Sequence, residues 1–429
     1  MRVTFSMPSP PAGPVPARIS LRTSCGSRSA IQADTVRAVT ADSLPRLDPD
    51  TATLAELAAA RERSWVARSE RGYEVLRYGE GMSLLRDRRF KKGGTFLYRL
   101  DAFGVTEGPV REAWNRMLVT NDGEARTHLR LPISRLLGQR QMAKLEDTVR
   151  AIVDRVLDEA PDDDIDLMRH VAWRIPPLVY CELFSAPPEE AERAARLSDS
   201  TLGPILTMDA ARRQESIDAF VESEDFIRTY VDRRRGDLGD DFTSALIREQ
   251  DAGNLTESEV VGTGVGLLQA SIDNTVHQIG LALGTLLEEP ARWARVVADR
   301  DLIGPAIEEV IRLRPRFGTI FRIAADDLEL NGLEVQEGGA VFVSVRAGQR
   351  DPRRFEEPDA FRLDREPSPP LMFGNGPYSC LGQHLARMEV RALLEAMAER
   401  FPDARLSAPM TQEDFDAVTE VSELRGTLQ

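Results

Sequence analysis

The amino-acid sequence predicts a mainly α-helical fold with a minor β portion. The strongest indication is an apolar segment that begins with a capping box at Thr256 and Glu259 and ends at Pro290, which predicts a helix of roughly 33 residues. Residues 140–160 repeat apolar side chains at helical spacing and predict a second, amphipathic helix. Residues 328–345 alternate polar and apolar side chains around an Asn-Gly pair, which is typical of a β-hairpin.

The composition is that of a globular protein whose partner is neither nucleic acid nor a membrane. The chain has 429 residues, of which 42% are apolar and 29% are charged. Its formal net charge of −15 argues against binding to nucleic acid or to an anionic membrane. It contains no run of about 18 apolar residues, so we expect no membrane-spanning segment.

The cysteine pattern indicates the compartment. Cys25, Cys181 and Cys380 are scattered along the chain and form no CxxC pair. This gives no disulfide framework and is typical of a reducing compartment. We therefore predict a soluble, cytoplasmic protein, and we expect it to be a monomer.

Residues 1–45 differ in composition from the rest of the chain. Between Met1 and Ala30 the chain has four arginines, five prolines and no acidic residue, without a helical or strand period. Such a segment is compatible with a transit peptide, with a disordered leader or with an overlong translation start. We interpret it as a disordered or processed extension before a single domain over residues 46–429.

The long helix has a polar patch at its middle, where Ser271, Asp273, Asn274 and Thr275 lie between apolar flanks. A carboxylate buried there costs several kcal/mol unless it has a partner or water. On one interpretation these side chains face solvent and the glycines of the helix permit close packing. On the other, the patch lines a central cavity, which is favoured because so long a helix runs through the centre of a large domain.

The segment FGNGPYSCLG, residues 373–382, places Cys380 in a glycine-rich loop directly before a helical pattern. The dipole and free N–H groups of a helix N-terminus stabilise a thiolate. The glycines allow the backbone, or a flat cofactor, to come close to the sulfur. A lone cysteine in such a loop is more often structural, but the company of Phe373, Gly374 and Gly382 indicates a functional site.

This segment resembles the haem-binding loop of the cytochrome P450 family, whose pattern is F-G-x-G-x-H-x-C-x-G. The resemblance implies that Cys380 is the axial thiolate ligand of iron in haem b. It implies that Phe373, Gly374, Tyr378 and Gly382 contact the haem, although Tyr378 stands where the family has His or Arg. It also implies the family's fold, a triangular helical domain with small β-sheets around a buried haem.

Further family motifs follow in order from Leu47 to the C-terminus. EEVIR contains the family's E-x-x-R as Glu309 and Arg312, and FRLDR supplies Arg365. The resemblance implies that these three residues form a buried structural ion group. It also implies that Arg322, in TIFRIA, meets a haem propionate.

The segment DGEARTHLR, residues 122–130, resembles the family's D-x-x-E-H-T-R-L-R. Arg130 matches the family's arginine, whereas Arg126 stands at the histidine. The resemblance implies that both bind the haem. We interpret Arg126 as compensating for Tyr378, which offers only one neutral donor. Pro132 is expected to kink or end this helix.

The segment ASIDNT aligns with the family's A-G-x-[DE]-T-[TS], so Asp273 matches while Ser271 and Asn274 replace glycine and threonine. In the family the acid and the threonine relay protons for the reduction of dioxygen, which makes Asp273 and Asn274 candidate catalytic residues. An asparagine amide releases no useful proton. Three alternatives follow. Asn274 orients substrate or water, or groups of the substrate assist the delivery of protons, or the reaction is oxidative coupling or ring formation. Retention of Asp273 favours ordinary oxygen insertion.

The resemblance implies a substrate pocket that draws on residues 91–110, residues 200–220, the long helix near Leu267–Asn274, and RFGTIF, residues 316–321. The candidate residues are Leu267, Ala270, Ser271, Phe317 and Ile320. Phe317, Ile320 and Phe321 suggest a small, apolar or aromatic substrate, while Ser271 and Asn274 offer contacts to a polar group. The class resembles tailoring enzymes of natural-product and antibiotic pathways, which is an argument by analogy.

The expected partners are a ferredoxin and a ferredoxin reductase, since no flavin or nicotinamide domain is recognisable in the chain. They would deliver two electrons from NAD(P)H for the reaction with O2. Arg350, Arg353 and Arg354 suggest a basic docking patch for an acidic ferredoxin, or simply three solvated arginines. A non-catalytic haem protein and an accessory protein are the alternatives, and retention of Asp273 and Cys380 argues against them. His277 is interpreted as a surface or packing residue.

Overall fold

The structure is a computed structural model that describes residues 43–49, 51–161, 163–415 and 418–428. The predicted extension, residues 1–45, lies outside the described residues apart from its last three positions, so its role stays a prediction.

The described chain is mainly helical, which confirms the predicted class. Its helices are α1 Leu54–Arg63, α2 Tyr78–Arg86, α3 Gly93–Phe103, α4 Pro109–Asn115, α5 Gly123–Leu136, α6 Gln139–Met142, α7 Glu146–Asp158, α8 Ile175–Leu183, α9 Ala191–Thr207, α10 Arg213–Arg235, α11 Phe242–Asp251, α12 Glu257–Leu287, α13 Pro290–Ala298, α14 Ile303–Leu313, α15 Val345–Gly348 and α16 Gln383–Arg400. No helix in the described part of the chain is long and apolar enough to cross a membrane.

The strands form small sheets. They are β1 Val66–Ser69, β2 Gly72–Val75, β3 Phe90–Lys91, β4 Ile165–Asp166, β5 Thr319–Ala324, β6 Leu328–Leu330, β7 Leu333–Val335, β8 Ala340–Ser344, β9 Arg405–Leu406, β10 Thr411–Asp414, β11 Thr419–Glu423 and β12 Arg425–Thr427. A five-stranded sheet has the order β1-β2-β8-β5-β3, in which only β2 and β8 pair in parallel. The other sheets are β10-β11, β4-β12-β9 and β6-β7.

The long helix is confirmed as α12, which begins at the predicted capping box of Thr256 and Glu259. It packs against α8, α9, α10, α14 and α16, so it lies at the centre of the helical core. Gly264 permits part of this packing, because a Cβ there would lie 2.6 Å from Ile227 of α10. Every residue from Thr275 to the C-terminal end of α12 is buried.

Three other expectations are corrected. The predicted helix 140–160 is divided into α6, a 3-10 turn and α7, and α7 carries the buried stripe from Val149 to Leu157. The predicted hairpin 328–345 ends at β7, since the chain turns at Gly338 and β8 joins the large sheet instead. Pro132 does not end its helix, since α5 continues to Leu136, and the alternative expectation of a kink stays a prediction.

Candidate active site

The cysteine loop is held in shape by two glycines with positive φ. Gly374 has φ +66° and Gly376 has φ +64°, a region that disfavours other residues. A Cβ at Gly376 would also lie 3.0 Å from the Cα of Arg86. The backbone N–H of Cys380 donates to the carbonyl of Phe373 at 2.8 Å, which closes the loop. α16 begins three residues after the cysteine.

The sulfur of Cys380 faces an internal space. The side chain has accessible surface, yet protein surrounds it closely enough that desolvation raises the pKa of its thiol. The backbone N–H of Gly382 and the charges of Lys92, Arg387 and Arg130 oppose this rise. A Cβ at Gly382 would meet nothing within 4 Å, so open space lies beside the loop two residues after the cysteine. Such a sulfur can take a ligand that enters the protein, and the nearby charges oppose the effect of burial on its pKa without outweighing it.

Four cations, here called the cation cluster, lie near this loop: Lys92, Arg126, Arg130 and Arg322. The guanidinium carbon of Arg126 lies over the ring of Tyr378, 4.6 Å from its centroid, and that of Arg322 lies 5.0 Å from the same centroid. Arg130 donates to the hydroxyl of Ser379 at 2.9 Å. Within the described ranges, none of the four forms an ion pair with a carboxylate.

Burial weakens the charge of this cluster. Desolvation, and then repulsion from Arg130, lowers the pKa of Arg126 to about 10. Desolvation likewise lowers the pKa of Arg322 to about 10. The pKa of Lys92 falls to about 7, through desolvation and repulsion from Arg322 and Arg126. Buried cations without acidic partners are costly, so the cluster fits a ligand that brings negative charge.

Tyr378 does not offer its hydroxyl proton to a ligand. The hydroxyl donates to Oδ1 of Asp122 at 2.6 Å, and burial together with this hydrogen bond raises the pKa of Tyr378 to about 12. Asp122 also accepts the backbone N–H groups of Lys92 and Gly93, at 3.1 and 3.0 Å. Arg126 contacts the ring of Tyr378 and donates to the carbonyls of Leu118 and Pro377. Its compensating role therefore stays a prediction.

One face of α12 is accessible in an otherwise buried helix. Ala270 is exposed in the middle of the helix, and it shares this face with partly accessible residues at helical spacing: Gly262, Gly266, Leu267, Ser271 and Asn274. This agrees with the prediction that Leu267, Ala270 and Ser271 line a cavity, although their contact with a substrate stays a prediction.

The polar groups on this face are turned toward the helix backbone. The hydroxyl of Ser271 donates to the carbonyl of Leu267 at 2.7 Å, and Nδ2 of Asn274 donates to that of Ala270 at 3.0 Å. One N–H of Nδ2 is used by this carbonyl, which fixes the amide orientation and leaves the second N–H without a partner among the described residues, whereas Oδ1 is buried and unpaired. Ser271 can therefore accept a further hydrogen bond, and Asn274 can donate one.

Asp273 is directed away from Asn274 and is fully compensated. Its Oδ2 lies 2.7 Å from Nη2 of Arg316, and its Oδ1 lies 3.5 Å from Nε2 of His277. Arg316 also lies 3.5 Å from Glu420 of β11. Burial alone would raise the pKa of Asp273, but the charge of Arg316 and the hydrogen bond from His277 hold it well below its usual range.

Asp273, His277 and Glu420 have the composition of a metal site, with ligand atoms within 4.8 Å of one another. The hydrogen bonds contradict that use. Nδ1 of His277 accepts the backbone N–H of Val421 at 3.1 Å, so Nε2 carries the proton and has no free lone pair. Arg316 already supplies the positive charge. This group is an ion network, and the interpretation of His277 as a surface or packing residue missed its hydrogen bonds.

The predicted structural ions meet as a closed group, here called the glutamate triad. Glu309 lies 2.7 Å from Arg312 and 2.9 Å from Arg365. Burial would raise the pKa of Glu309, but hydrogen bonds from Arg312 and from the backbone N–H of Arg362 lower it. The two arginines satisfy their remaining donors on the carbonyls of loop 349–360.

The remaining pocket residues divide between two faces of a sheet. Ile320 and Arg322 alternate on β5 and therefore share a face. Phe317 pairs with Val418 in an isolated bridge, at the entrance to β5. Phe321 lies on the opposite face, stacked on Phe342 at 4.4 Å, so grouping it with the pocket was wrong.

The suggested basic patch is largely neutralised within the chain. Arg350 lies 3.2 Å from Asp359, and Arg353 lies 3.1 Å from Glu62 and 3.2 Å from Asp351. These arginines therefore do not form a free cationic surface.

Sequence reasoning missed Lys92, Asp122 and Arg316 as members of these networks. Lys92 belongs to no motif, although it directly follows a short strand. Arg316 lies 43 residues from Asp273 in the chain, so only the fold brings them together.

A flat, dianionic cofactor held by a thiolate fits this donor set, and that is the chemistry of haem-thiolate proteins. The family model for cytochrome P450 matches residues 201–413. Luteothin monooxygenase from Streptomyces thioluteus is 32% identical over 359 residues, which cover 83% of this chain and 88% of that protein. The chain belongs to the cytochrome P450 family. It is an oxidoreductase, a haem monooxygenase, and its cofactor is haem b.

Solved structures confirm the predicted fold. The crystal structure of CalO2 matches with a TM-score of 0.83 at 25% identity, over 90% of this chain and 99% of that one. CxnD, a cytochrome P450 enzyme for C–S bond formation in chuangxinmycin biosynthesis, matches with a TM-score of 0.77 at 27% identity. That match covers 89% of this chain and 97% of the CxnD chain.

Proposed function

We propose that this enzyme inserts one oxygen atom of O2 into a small, largely apolar or aromatic natural product, by hydroxylation or epoxidation. The observation that carries the proposal is the position of Cys380, whose sulfur opens on an internal space beside unpaired cations. Haem b bound there supplies the activation of dioxygen. The similarity to luteothin monooxygenase supports a natural-product substrate.

The cofactor contacts follow from the chemistry of the donors. Cys380 would be the iron ligand, and Gly374 and Gly382 would let the flat ring approach it. Phe373 would pack on the ring, held by the guanidinium of Arg387 at 4.5 Å. Arg126, Arg130 and Arg322 would neutralise the two propionates, since buried carboxylates need cations.

Asp273 and Asn274 would have different roles in the reaction. Asp273 is ionised, so it would not act as a resting acid; it would take part in a relay in which each proton that passes through it is replaced from solvent, with no net change in its charge. Asn274 would orient water or a substrate oxygen through the second N–H of its amide, because the first is bound to Ala270 and Oδ1 is buried. A substrate hydroxyl, which can donate to Ser271 and accept from Asn274, is therefore the polar group that suits this face of α12.

The apolar part of the substrate would contact Leu267, Ala270, Phe317 and Ile320. Electrons would come from NAD(P)H through a ferredoxin and a ferredoxin reductase in the cytoplasm. Because Arg350 and Arg353 are already paired, the ferredoxin would dock on other cations.

The first test is the absorbance spectrum of the purified holoprotein, reduced with dithionite and exposed to carbon monoxide. We expect the strongly red-shifted Soret band of thiolate-ligated haem, and its loss in Cys380→Ser. Turnover with a surrogate ferredoxin system under ¹⁸O2 should then give a product that contains one ¹⁸O atom. Haem with a histidine-type band, or no haem, would contradict the assignment of Cys380.

A second candidate is an oxidation without oxygen insertion, such as ring formation. Asn274 favours it, because an amide N–H is not acidic enough to deliver a proton to dioxygen. The fold similarity to CxnD, an enzyme for C–S bond formation, is compatible with it. A product without ¹⁸O would support this candidate, whereas haem binding without any turnover would support a non-catalytic protein.

A further inference from the structure

We propose that Lys92 is a haem-propionate ligand, and that it supplies the positive charge and hydrogen-bond donor which Tyr378 does not. The proposal concerns the cofactor and is independent of the reaction proposed above.

The backbone of Lys92 is fixed at the junction of three elements of the site. Lys92 joins β3 to α3, and β3 pairs with the strand of Arg322. Its N–H and that of Gly93 donate to Asp122, the N-cap residue of α5, which carries Arg126 and Arg130. The same carboxylate accepts the hydroxyl of Tyr378. One acid therefore ties the backbone of Lys92 to the cysteine loop.

The side chain of Lys92 has no acidic partner in the described residues. Its ammonium is enclosed by protein, and the charges that act on it are those of Arg322, Arg126, Arg130 and Cys380. Desolvation and the three arginines lower the pKa of Lys92 to about 7, so the protein alone disfavours its charged form. The residue nevertheless keeps partly accessible surface, so its side chain is not sealed in a packed core. A carboxylate that enters beside the cation cluster would satisfy the ammonium.

The substitution at position 378 explains why another cation is required. A histidine or arginine there would carry a proton to a propionate, whereas the proton of Tyr378 is used by Asp122. Arg126 donates to two backbone carbonyls, and Arg130 donates to Ser379, so part of their donor capacity is also used. Lys92 keeps all three of its N–H donors for a ligand among the described groups.

The test compares Lys92→Met and Lys92→Arg with Lys91→Met in the holoprotein. Lys91 is the matched control, because it is the adjacent lysine and its side chain is exposed. We expect Lys92→Met to lose haem to excess apomyoglobin about tenfold to a hundredfold faster, the worth of a charged hydrogen bond. Lys92→Arg should retain haem, and Lys91→Met should match the wild type.

Two further readouts separate this role from a purely structural one. Lys92→Met should lower the midpoint potential, because a nearby cation stabilises the added electron, and should shift the propionate-bending band in the resonance Raman spectrum. Lys92→Arg should restore both values. Haem loss at the rate of Lys91→Met, or faster loss with an unchanged potential and Raman band, would overturn the proposal.

Discussion

The molecule contains two groups of buried charges that differ in balance. In the glutamate triad, Glu309 lies between Arg312 and Arg365, and loop carbonyls satisfy the remaining N–H donors. In the cation cluster, Lys92 and Arg322 lie beside two further arginines, and no carboxylate within the described ranges pairs with them. In the first group the chain pairs its charges, whereas in the second the nearby carboxylate of Asp122 binds Tyr378 and backbone N–H groups and forms no ion pair with the cations.

This difference separates a structural site from a ligand site. A buried charge that is fully paired stabilises one arrangement of the chain, and removal of a partner is costly. A buried charge without a partner instead destabilises the protein on its own, and a ligand of opposite charge removes this destabilisation when it binds. A substitution in the triad should therefore change the free energy of unfolding, whereas a substitution in the cation cluster should change the affinity for haem.

The largest effect should come from breaking the triad. Glu309→Gln leaves two buried guanidinium groups without a counter-charge, so we expect the free energy of unfolding to fall by about 3–5 kcal/mol. Urea unfolding of the holoprotein measures this change. The haem content of the protein that remains folded should equal that of the wild type, because the triad contacts no member of the cation cluster in the described structure.

The control for this variant is Glu329→Gln. Glu329 is exposed on β6, so its substitution should change stability by no more than about 0.5 kcal/mol. The distinction between the two groups fails if Glu309→Gln unfolds no more easily than this control.

A smaller effect should come from the cation cluster. Arg126→Ala should reduce the affinity for haem by about 2 kcal/mol, since a charged hydrogen bond to a propionate is lost. The haem-to-protein ratio after purification, determined from the pyridine haemochrome, measures the change. Arg135→Ala is the control, because Arg135 lies on the same helix but is exposed. Equal haem content in the two variants would contradict a role for Arg126 at the cofactor.

The sequence predicted those parts of the site that lie in local motifs. The loop of Cys380 and the triad were found because their residue spacing is fixed by one turn of helix or one tight loop. The centre of α12 was found because its length exceeds that of an ordinary helix. The polar network around Asp273 was not, because Arg316 and Glu420 reach it from distant segments.

The fold also gives some correctly identified residues a contact that differs from the expected one. Tyr378 was expected to donate to the cofactor, but packing of α5 against the loop gives its proton to Asp122. The helix 140–160 has the right periodicity, yet its first turns form separate elements. Periodicity indicates which face is apolar, whereas the positions of breaks depend on tertiary contacts.

The smallest expected effect is a pH dependence of stability that comes from one buried carboxyl group without a partner. Glu389 of α16 is almost completely buried, its Oε2 has no hydrogen-bond partner, and desolvation raises its pKa well above 4.5. The folded protein therefore keeps this carboxyl protonated over a range in which the unfolded chain releases the proton. Stability from this group is complete below about pH 4.5 and falls as pH rises, by about 1.4 kcal/mol per pH unit.

Glu389→Gln should abolish this slope and so become more stable than the wild type as the pH rises, with the two converging near pH 4. Urea unfolding at several pH values measures the difference, with Glu395→Gln, a more exposed site on the same helix, as the control. A difference between Glu389→Gln and wild type that does not change with pH would mean that the carboxyl ionises in the folded protein. A cation or water would then have to accompany it, and the contrast between paired and unpaired buried charges would no longer distinguish cofactor sites in this chain.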